Sequence, residues 1–182
     1  EQAEQRIFNS VQFPVIRKNV TGTTTSGNKY LATPVDFLSV FSIAVIAANG
    51  SYEFLLNKDV NFIREAYPTP TDLGTPAYYA LFNENTFILG PTPDSNYSTE
   101  LHYFYYPESI VTAGTSWLGD NFDSVLLYAS LLEAAAFMKS DPDTIKNYTD
   151  RYNEALLLAK RLGDGLDRQD AYRSGQVRIP VK

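Results

Sequence analysis

Residues 42–57 read SIAVIAANGSYEFLLN, and this stretch decides how the middle of the chain folds. Two runs of apolar and β-branched residues flank Asn49 and Gly50. Asn-Gly is the strongest short signal for a β-hairpin, because both residues tolerate the positive φ angles of a tight turn. The stretch therefore predicts two antiparallel strands, at about residues 42–48 and 51–57.

The chain continues with a short helical pattern, a second hairpin and a Tyr-rich strand. Asp59 can cap the helix, and Pro68 ends it. The predicted segments are residues 59–65 for the helix, 78–82 and 86–89 for the hairpin, and 97–106 for the strand. Together with the first hairpin they predict an antiparallel meander of about five strands.

Helical patterns flank this β region on both sides. Near the N-terminus, apolar residues at spacings of three and four predict an amphipathic helix that Pro14 cuts short. Similar stripes predict helices over residues 121–138 and 142–162, with Leu126 in their shared seam and Gly163 as the stop. Because the linker between these helices is very short, they must fold back as an antiparallel hairpin.

The predicted fold class is therefore α+β. We expect a helical bundle, made of the N-terminal helix and the C-terminal antiparallel helical hairpin, with an inserted antiparallel β module and an extended C-terminal arm. A single domain over residues 1–182 is expected from the length. Its segments are the N-terminal helix at 1–20, the β module at 30–110, the helical hairpin at 120–163 and the arm at 164–182. The Thr-rich run at residues 21–28 predicts a loop.

The composition excludes several classes of site. The chain has no Cys and one histidine, His102, so disulfides, iron–sulfur clusters and multi-histidine zinc sites are impossible. We expect no cofactor and no metal. No apolar run approaches the roughly 20 residues of a membrane-spanning helix, so we expect no membrane partner.

Charge is distributed unevenly along the chain. The net charge is -6, which argues against a protein that wraps nucleic acid. Nine acidic residues and no Lys or Arg lie between Arg64 and Lys139, whereas residues 168–182 carry four cations against one acid. Such asymmetry is typical of an interaction tail.

No catalytic site is predicted. The carboxylates considered for glycoside hydrolysis are Glu84, Asp94, Glu100 and Glu108. Glu100 and His102 share a face of the predicted strand, yet no third group completes an acid–base set. A small hydrolase built on Glu100 is the weakest of the alternatives, and we expect no enzyme activity.

The Tyr-rich strand supports two interpretations. Tyr97, Tyr103 and Tyr105 share one of its faces, where rings can bind sugars or fill a core or a protein interface. Stacking on nucleic acid is improbable because no Lys or Arg lies nearby. Packing or an interface is favoured over a carbohydrate platform.

Several short phrases follow one another along nearly the whole chain. They are LATPVDFL at residues 31–38, TPAYY at 75–79, ILGPTPD at 88–94, WLGDNFD at 117–123 and EAAAFM at 133–138. In this order and spacing they resemble the head-to-tail adaptor proteins of tailed bacteriophages, also called head–tail connector or gatekeeper proteins. The resemblance extends from about residue 6 to residue 175.

The resemblance implies a virion structural protein at the head–tail junction, assembled in the host cytoplasm. Such a protein forms a ring of about twelve copies, a dodecamer, that joins the portal protein to the tail nozzle or neck protein. DNA would pass through the channel during ejection without specific binding. From the charge pattern alone, we expect the acidic side of the β module to face the channel or a neighbouring copy.

The resemblance also implies roles for particular segments. The C-terminal arm would grip the portal, and its candidate docking residues are Arg168, Asp170, Tyr172, Arg173, Arg178 and Ile179. Apart from the resemblance, the aromatic residues considered for an interface are Tyr103, Tyr105 and Trp117. The alternative function is a carbohydrate-binding or adhesion module that uses the Tyr-rich strand.

Overall fold

The computed structural model describes residues 1–167, with side-chain burial as far as Gly163. This part of the chain forms two compact units. The β unit runs from Arg17 to Tyr105, and the helical unit combines Glu1–Ile16 with the chain from Tyr106 onward.

The β unit contains ten strands and one helix within the described residues. The strands are β1 (Arg17–Thr23), β2 (Tyr30–Ala32), β3 (Ser39–Ile46), β4 (Tyr52–Phe54), β5 (Leu56–Asn57), β6 (Leu73–Gly74), β7 (Tyr78–Asn83), β8 (Thr86–Gly90), β9 (Thr92–Pro93) and β10 (Ser98–Phe104). The helix is α2 (Val60–Ala66), which follows β5 in the chain.

The strands form two four-stranded sheets and a two-stranded one. The first sheet has the order β1-β10-β3-β4 and is antiparallel throughout. The second has the order β2-β8-β7-β5, with a parallel pair at its β5 edge. β6 and β9 pair in parallel. Since neighbouring strands are often distant in the sequence, the predicted antiparallel meander is wrong.

The core of the β unit combines side chains from both four-stranded sheets. In β10 the alternate residues Thr99, Leu101 and Tyr103 are buried, as expected for a strand with one face on a core. The full buried cluster is Ile43, Val45, Leu55, Tyr79, Phe87, Leu89, Leu101 and Tyr103. α2 covers part of the second sheet through a smaller cluster of Ile63, Ala80 and Ile88.

Two local predictions are confirmed by the turn and cap geometry of the β unit. The predicted hairpin forms between β3 and β4, with Gly50 at a φ of 83° in the left-handed region, whereas Asn49 is not at positive φ. Asp59 caps α2 by accepting the Asn61 amide hydrogen at 2.7 Å. The second predicted hairpin corresponds to β7 and β8.

The helical unit contains five α-helices and one turn of 3-10 helix within the described residues. The elements are α1 (Gln2–Ser10), the 3-10 turn (Pro14–Ile16), α3 (Ile110–Ala113), α4 (Trp117–Asn121), α5 (Asp123–Phe137) and α6 (Pro142–Asp167). α5 packs against α1, α4 and α6.

Gly163 does not end the last helix, contrary to the prediction. α6 continues to Asp167. Gly163 is buried, and a Cβ atom on it would lie 3.0 Å from Val11 and 3.4 Å from Phe13. The glycine is therefore explained by close packing inside the helical unit and not by a left-handed helix end.

The predicted helical bundle with an inserted β module is wrong, although the class is α+β. The described chain contains six α-helices and ten strands in three sheets, so β structure makes up a large part of the fold. β1 occupies residues that the sequence assigned to the N-terminal helix and a loop. It is a strand because it pairs along its whole length with β10, from Arg17 opposite Phe104 to Thr23 opposite Ser98.

Within residues 1–167, no helix combines the length and the apolar character needed to cross a bilayer.

Candidate interaction surfaces

One face of the first sheet carries a row of aromatic and polar side chains. Glu100 and His102 occupy the β10 positions that alternate with its buried residues, so they lie on the face turned away from the core. Ala44 pairs with both Glu100 and Phe54, which places Phe54 in the same row. Tyr52 lies two residues before Phe54, and their rings are stacked with centroids 6.5 Å apart.

These side chains line a cleft of about 300 Å³, which we call the aromatic–acid cleft. Its rings are accessible, since Tyr52 is 53% exposed and Phe54 is 66% exposed. The complete lining is Ser42, Ala44, Tyr52, Phe54, Glu100 and His102.

The carboxylate of Glu100 is fixed by two hydrogen bonds. The Asn19 side-chain amide donates to it, and so does the Tyr52 hydroxyl. These bonds, that of Asn19 first, hold the pKa of Glu100 below its usual range. The same carboxylate raises the pKa of Tyr52. At neutral pH the cleft therefore presents a carboxylate beside a neutral phenol.

This geometry gives no support to the glycosidase hypothesis. Of Glu84, Asp94, Glu100 and Glu108, only Glu100 lines the cleft, whereas a glycosidase needs two carboxyl groups across the scissile bond. Across residues 1–167, no three His, Cys, Asp or Glu side chains are grouped so that they could hold a metal ion.

A second polar cluster in the β unit centres on Asp36. Lys18 donates to Oδ2 of Asp36 at 2.7 Å, and the Tyr103 hydroxyl donates to Oδ1 at 2.8 Å. The Lys18 hydrogen bond, followed by that of Tyr103, lowers the pKa of Asp36. Burial, followed by the nearby Asp36 carboxylate, raises the pKa of Tyr103. Asp36 thus joins the loop before β3 to both β1 and β10.

The three candidate interface residues lie in different surroundings. Tyr103 is 1% exposed, so its ring belongs to the core of the β unit. Tyr105 is half-buried, and its ring lies 5.1 Å below the Lys18 ammonium. Trp117 is also half-buried and packs in the helical unit against Phe13, with ring centroids 5.0 Å apart and the rings tilted by 58°. Tyr103 and Tyr105 thus belong to the β unit, and Trp117 belongs to the helical unit.

The helical unit exposes several large apolar side chains, and one of them, Phe137, was expected in a buried stripe. Phe137 is 89% exposed, although its spacing put it on the apolar face of the predicted helix. The sequence could have indicated this exposure, because α5 has apolar residues on more than one side. A single buried face cannot cover all of them. As far as Gly163, the exposed large apolar residues of α5, α6 and their link are Leu127, Phe137, Met138, Leu157, Leu158 and Leu162.

The candidate docking residues of the arm, namely Arg168, Asp170, Tyr172, Arg173, Arg178 and Ile179, lie outside the described residues. The first residues of the predicted arm, up to Asp167, form the end of α6.

Comparison with known proteins identifies the family. No curated protein resembles the chain closely enough to count as a match. The model of the SU10 adaptor protein family matches residues 1–180, which include both units. This agrees with the resemblance to head-to-tail adaptors that the ordered sequence phrases indicated. The chain therefore belongs to the SU10 adaptor protein family, and its role is that of a structural adaptor in a phage virion.

Proposed function

We propose that the chain forms a ring that joins the portal protein to the tail nozzle or neck protein and lines the DNA channel. The observation that carries this proposal is the family match across residues 1–180. A structural role of this kind needs surfaces for other proteins and no catalytic group. We propose accordingly that the chain is not an enzyme.

Exposed apolar side chains in the helical unit support an assembly role. Contact of exposed apolar side chains with water is unfavourable in free energy, and groups of such side chains commonly mark protein–protein contacts. Phe137 and Met138 are 89% and 67% exposed at the end of α5. We propose that this end of α5 is covered by another protein in the virion.

The charge distribution supports a closed ring. Neighbours in a ring meet through two different surfaces of the same chain, which must be complementary. The acidic residues between Arg64 and Lys139 and the basic residues of 168–182 could form such a pair. We propose about twelve copies per ring.

The acidic residues also suit a channel for DNA. Glu84, Asp94 and Glu108 are exposed. Carboxylates along a channel would repel DNA phosphates and prevent DNA from sticking in transit, an effect that salt weakens. Basic residues lining the channel, with these acids on the outer wall, would contradict this part of the proposal.

The basic segment 168–182 is proposed as the docking element for the portal. The test compares the full chain with a variant that ends at Asp167, each mixed with portal rings at low and physiological salt. Sedimentation should show that the full chain binds and that the shortened chain binds much more weakly, with unchanged circular dichroism. Equal binding by both chains would remove the docking role from this segment.

Carbohydrate binding by the Tyr-rich strand is the weaker candidate. The Tyr103 ring is in the core and the Tyr97 hydroxyl hydrogen-bonds to Thr75, so the predicted platform of Tyr97, Tyr103 and Tyr105 is not available as one open face. Specific binding of the purified chain to a glycan array would support this alternative function.

A further inference from the structure

We propose that the aromatic–acid cleft binds an arginine side chain of a second copy of this chain, supplied by the basic segment 168–182. This inference rests on the proposed ring, since it names the contact by which one copy would hold the next. The portal would then engage the distal part of the same segment, around Arg178 and Ile179.

The cleft has the chemical groups that bind a guanidinium. A planar guanidinium stacks on aromatic rings and donates two parallel hydrogen bonds to a carboxylate. The stacked rings of Tyr52 and Phe54 offer an aromatic strip, and the Glu100 carboxylate lines the same cleft. Glu100 accepts from Asn19 and Tyr52, and an ionised carboxylate has about four acceptor positions, so acceptor capacity remains.

The same sheet face already holds one guanidinium against aromatic rings. The Arg17 guanidinium carbon lies 4.9 Å from the centroid of the Phe41 ring and 5.9 Å from that of Phe104. These contacts are in the range of cation–π attraction. At the other end of the face, no Lys or Arg of residues 1–167 lies over Tyr52 or Phe54. That end therefore has the rings and a carboxylate but lacks a cation from the described chain.

Charge and length point to residues 168–182 as the source of the cation. The segment carries four cations against one acid, so its charge is complementary to the carboxylate of the cleft. Arg168 and Arg173 lie in its first half. An extended chain rises about 3.3 Å per residue, so the segment can span roughly 50 Å beyond Asp167. This length allows the first half of the segment to contact a neighbouring copy while its last residues contact the portal.

The experiment measures binding of a fluorescent peptide with the sequence of residues 168–182 to the full-length chain. The proposal predicts saturable binding that weakens as salt is raised. Glu100→Gln and Phe54→Ala in the full-length chain should each weaken binding at least tenfold. A peptide in which Arg168 and Arg173 are both replaced by Gln should bind the unchanged chain at least tenfold more weakly. Glu84→Gln removes the same charge from an exposed turn outside the cleft, and it should leave binding unchanged.

Sedimentation velocity of the full-length chain at increasing concentration tests whether the donor is a second copy. Excess peptide and Glu100→Gln should both reduce self-association of the full-length chain. If the peptide binds the Glu100→Gln and Glu84→Gln variants equally well, the cleft is not its binding site and the proposal is wrong. Absence of peptide binding, or cleft-dependent binding of glycans instead, would also overturn it. These experiments contain no portal, so they test the cleft alone. Failure of the chain to bind portal rings would instead contradict the proposed adaptor function.

Discussion

The amide N–H of Ile110 donates to the carboxylate of Glu4 at 2.9 Å, although the two residues are 106 positions apart in the chain. The Ser109 hydroxyl donates to the same carboxylate. Together these bonds join α1 to the start of α3 inside the helical unit. Glu4 is only 5% exposed, so its charge depends on these donors for stabilisation.

Stability of the helical unit should decrease in acid through Glu4. Burial has the largest single influence and would raise the pKa of Glu4, but the hydrogen bonds from Ile110 and Ser109, together with the hydrogen bond and charge of the Glu1 ammonium, hold the pKa below the usual value of 4.5. A lowered pKa gives stability that is complete above the unfolded-state value and is lost as pH falls through the folded-state value. Urea midpoints should therefore decrease from pH 7 to pH 3.5, and less so in Glu4→Gln.

At pH 7, Glu4→Gln should cost about 1–3 kcal/mol, because hydrogen bonds to an ionised acceptor are replaced by weaker ones. Glu108→Gln is the matched control, since Glu108 is exposed. It should shift neither the midpoint at pH 7 nor its pH dependence by more than a few tenths of a kcal/mol. Parallel pH profiles for wild type and Glu4→Gln would contradict the role of Glu4.

Gly90 should not tolerate even one added methyl group. A Cβ atom there would lie 2.9 Å from the Tyr67 ring, closer than real Cβ contacts, and 3.0 Å from Ile63, which is also tight. Gly90→Ala should therefore destabilise the β unit by about 1–3 kcal/mol in chemical denaturation. The control is Gly119→Ala, where the nearest atom would lie 3.4 Å away. That change should be neutral or stabilising by up to about 1 kcal/mol, because alanine favours helix.

The two partners of Asp36 should contribute unequally to stability. Tyr103→Phe removes a hydrogen bond from a side chain that is 1% exposed, which should cost about 1 kcal/mol and leave Asp36 less well satisfied. Lys18→Met removes an ion pair whose side chains are 50% and 33% exposed, which should cost less than about 1 kcal/mol. Urea denaturation of both variants would measure this order, and a larger loss in Lys18→Met would contradict it.

Phe137 should affect assembly more than folding. Its side chain is 89% exposed, so Phe137→Ser should change the melting temperature of the isolated chain very little. If another virion protein covers this end of α5, the same variant should bind its partner at least tenfold more weakly in sedimentation of portal mixtures. Asn153→Ser on the exposed side of α6 is the control. Unchanged binding by Phe137→Ser would exclude this residue from the interface.

Short sequence motifs predicted individual turns and helix caps, but they predicted little of how the strands pair. The Asn49-Gly50 turn and the Asp59 cap each depend on a few adjacent residues, and both are present. β1 was not predicted because its residues, RKNVTGT, are almost all exposed. They therefore lack the alternation of buried and exposed side chains that marks a strand. Its strand conformation comes from pairing with β10, and long-range pairing leaves no local periodicity.

The aromatic–acid cleft was not predicted, for the same physical reason. The strand pattern correctly put Glu100 and His102 on one face of β10. The aromatic partners Tyr52 and Phe54 belong to β4, and only the cross-strand register of β3 with β4 and β10 brings them to that face. Register between strands that are distant in the sequence is decided by tertiary packing.

The central claim, that the chain is the adaptor ring of the head–tail junction, is tested most directly by native mass spectrometry of the full-length chain mixed with portal rings. The claim predicts one complex of defined mass, in which a closed ring of about twelve copies is bound to each portal. A chain that remains unbound at physiological salt, or that binds in variable numbers without reaching a closed ring, would contradict it.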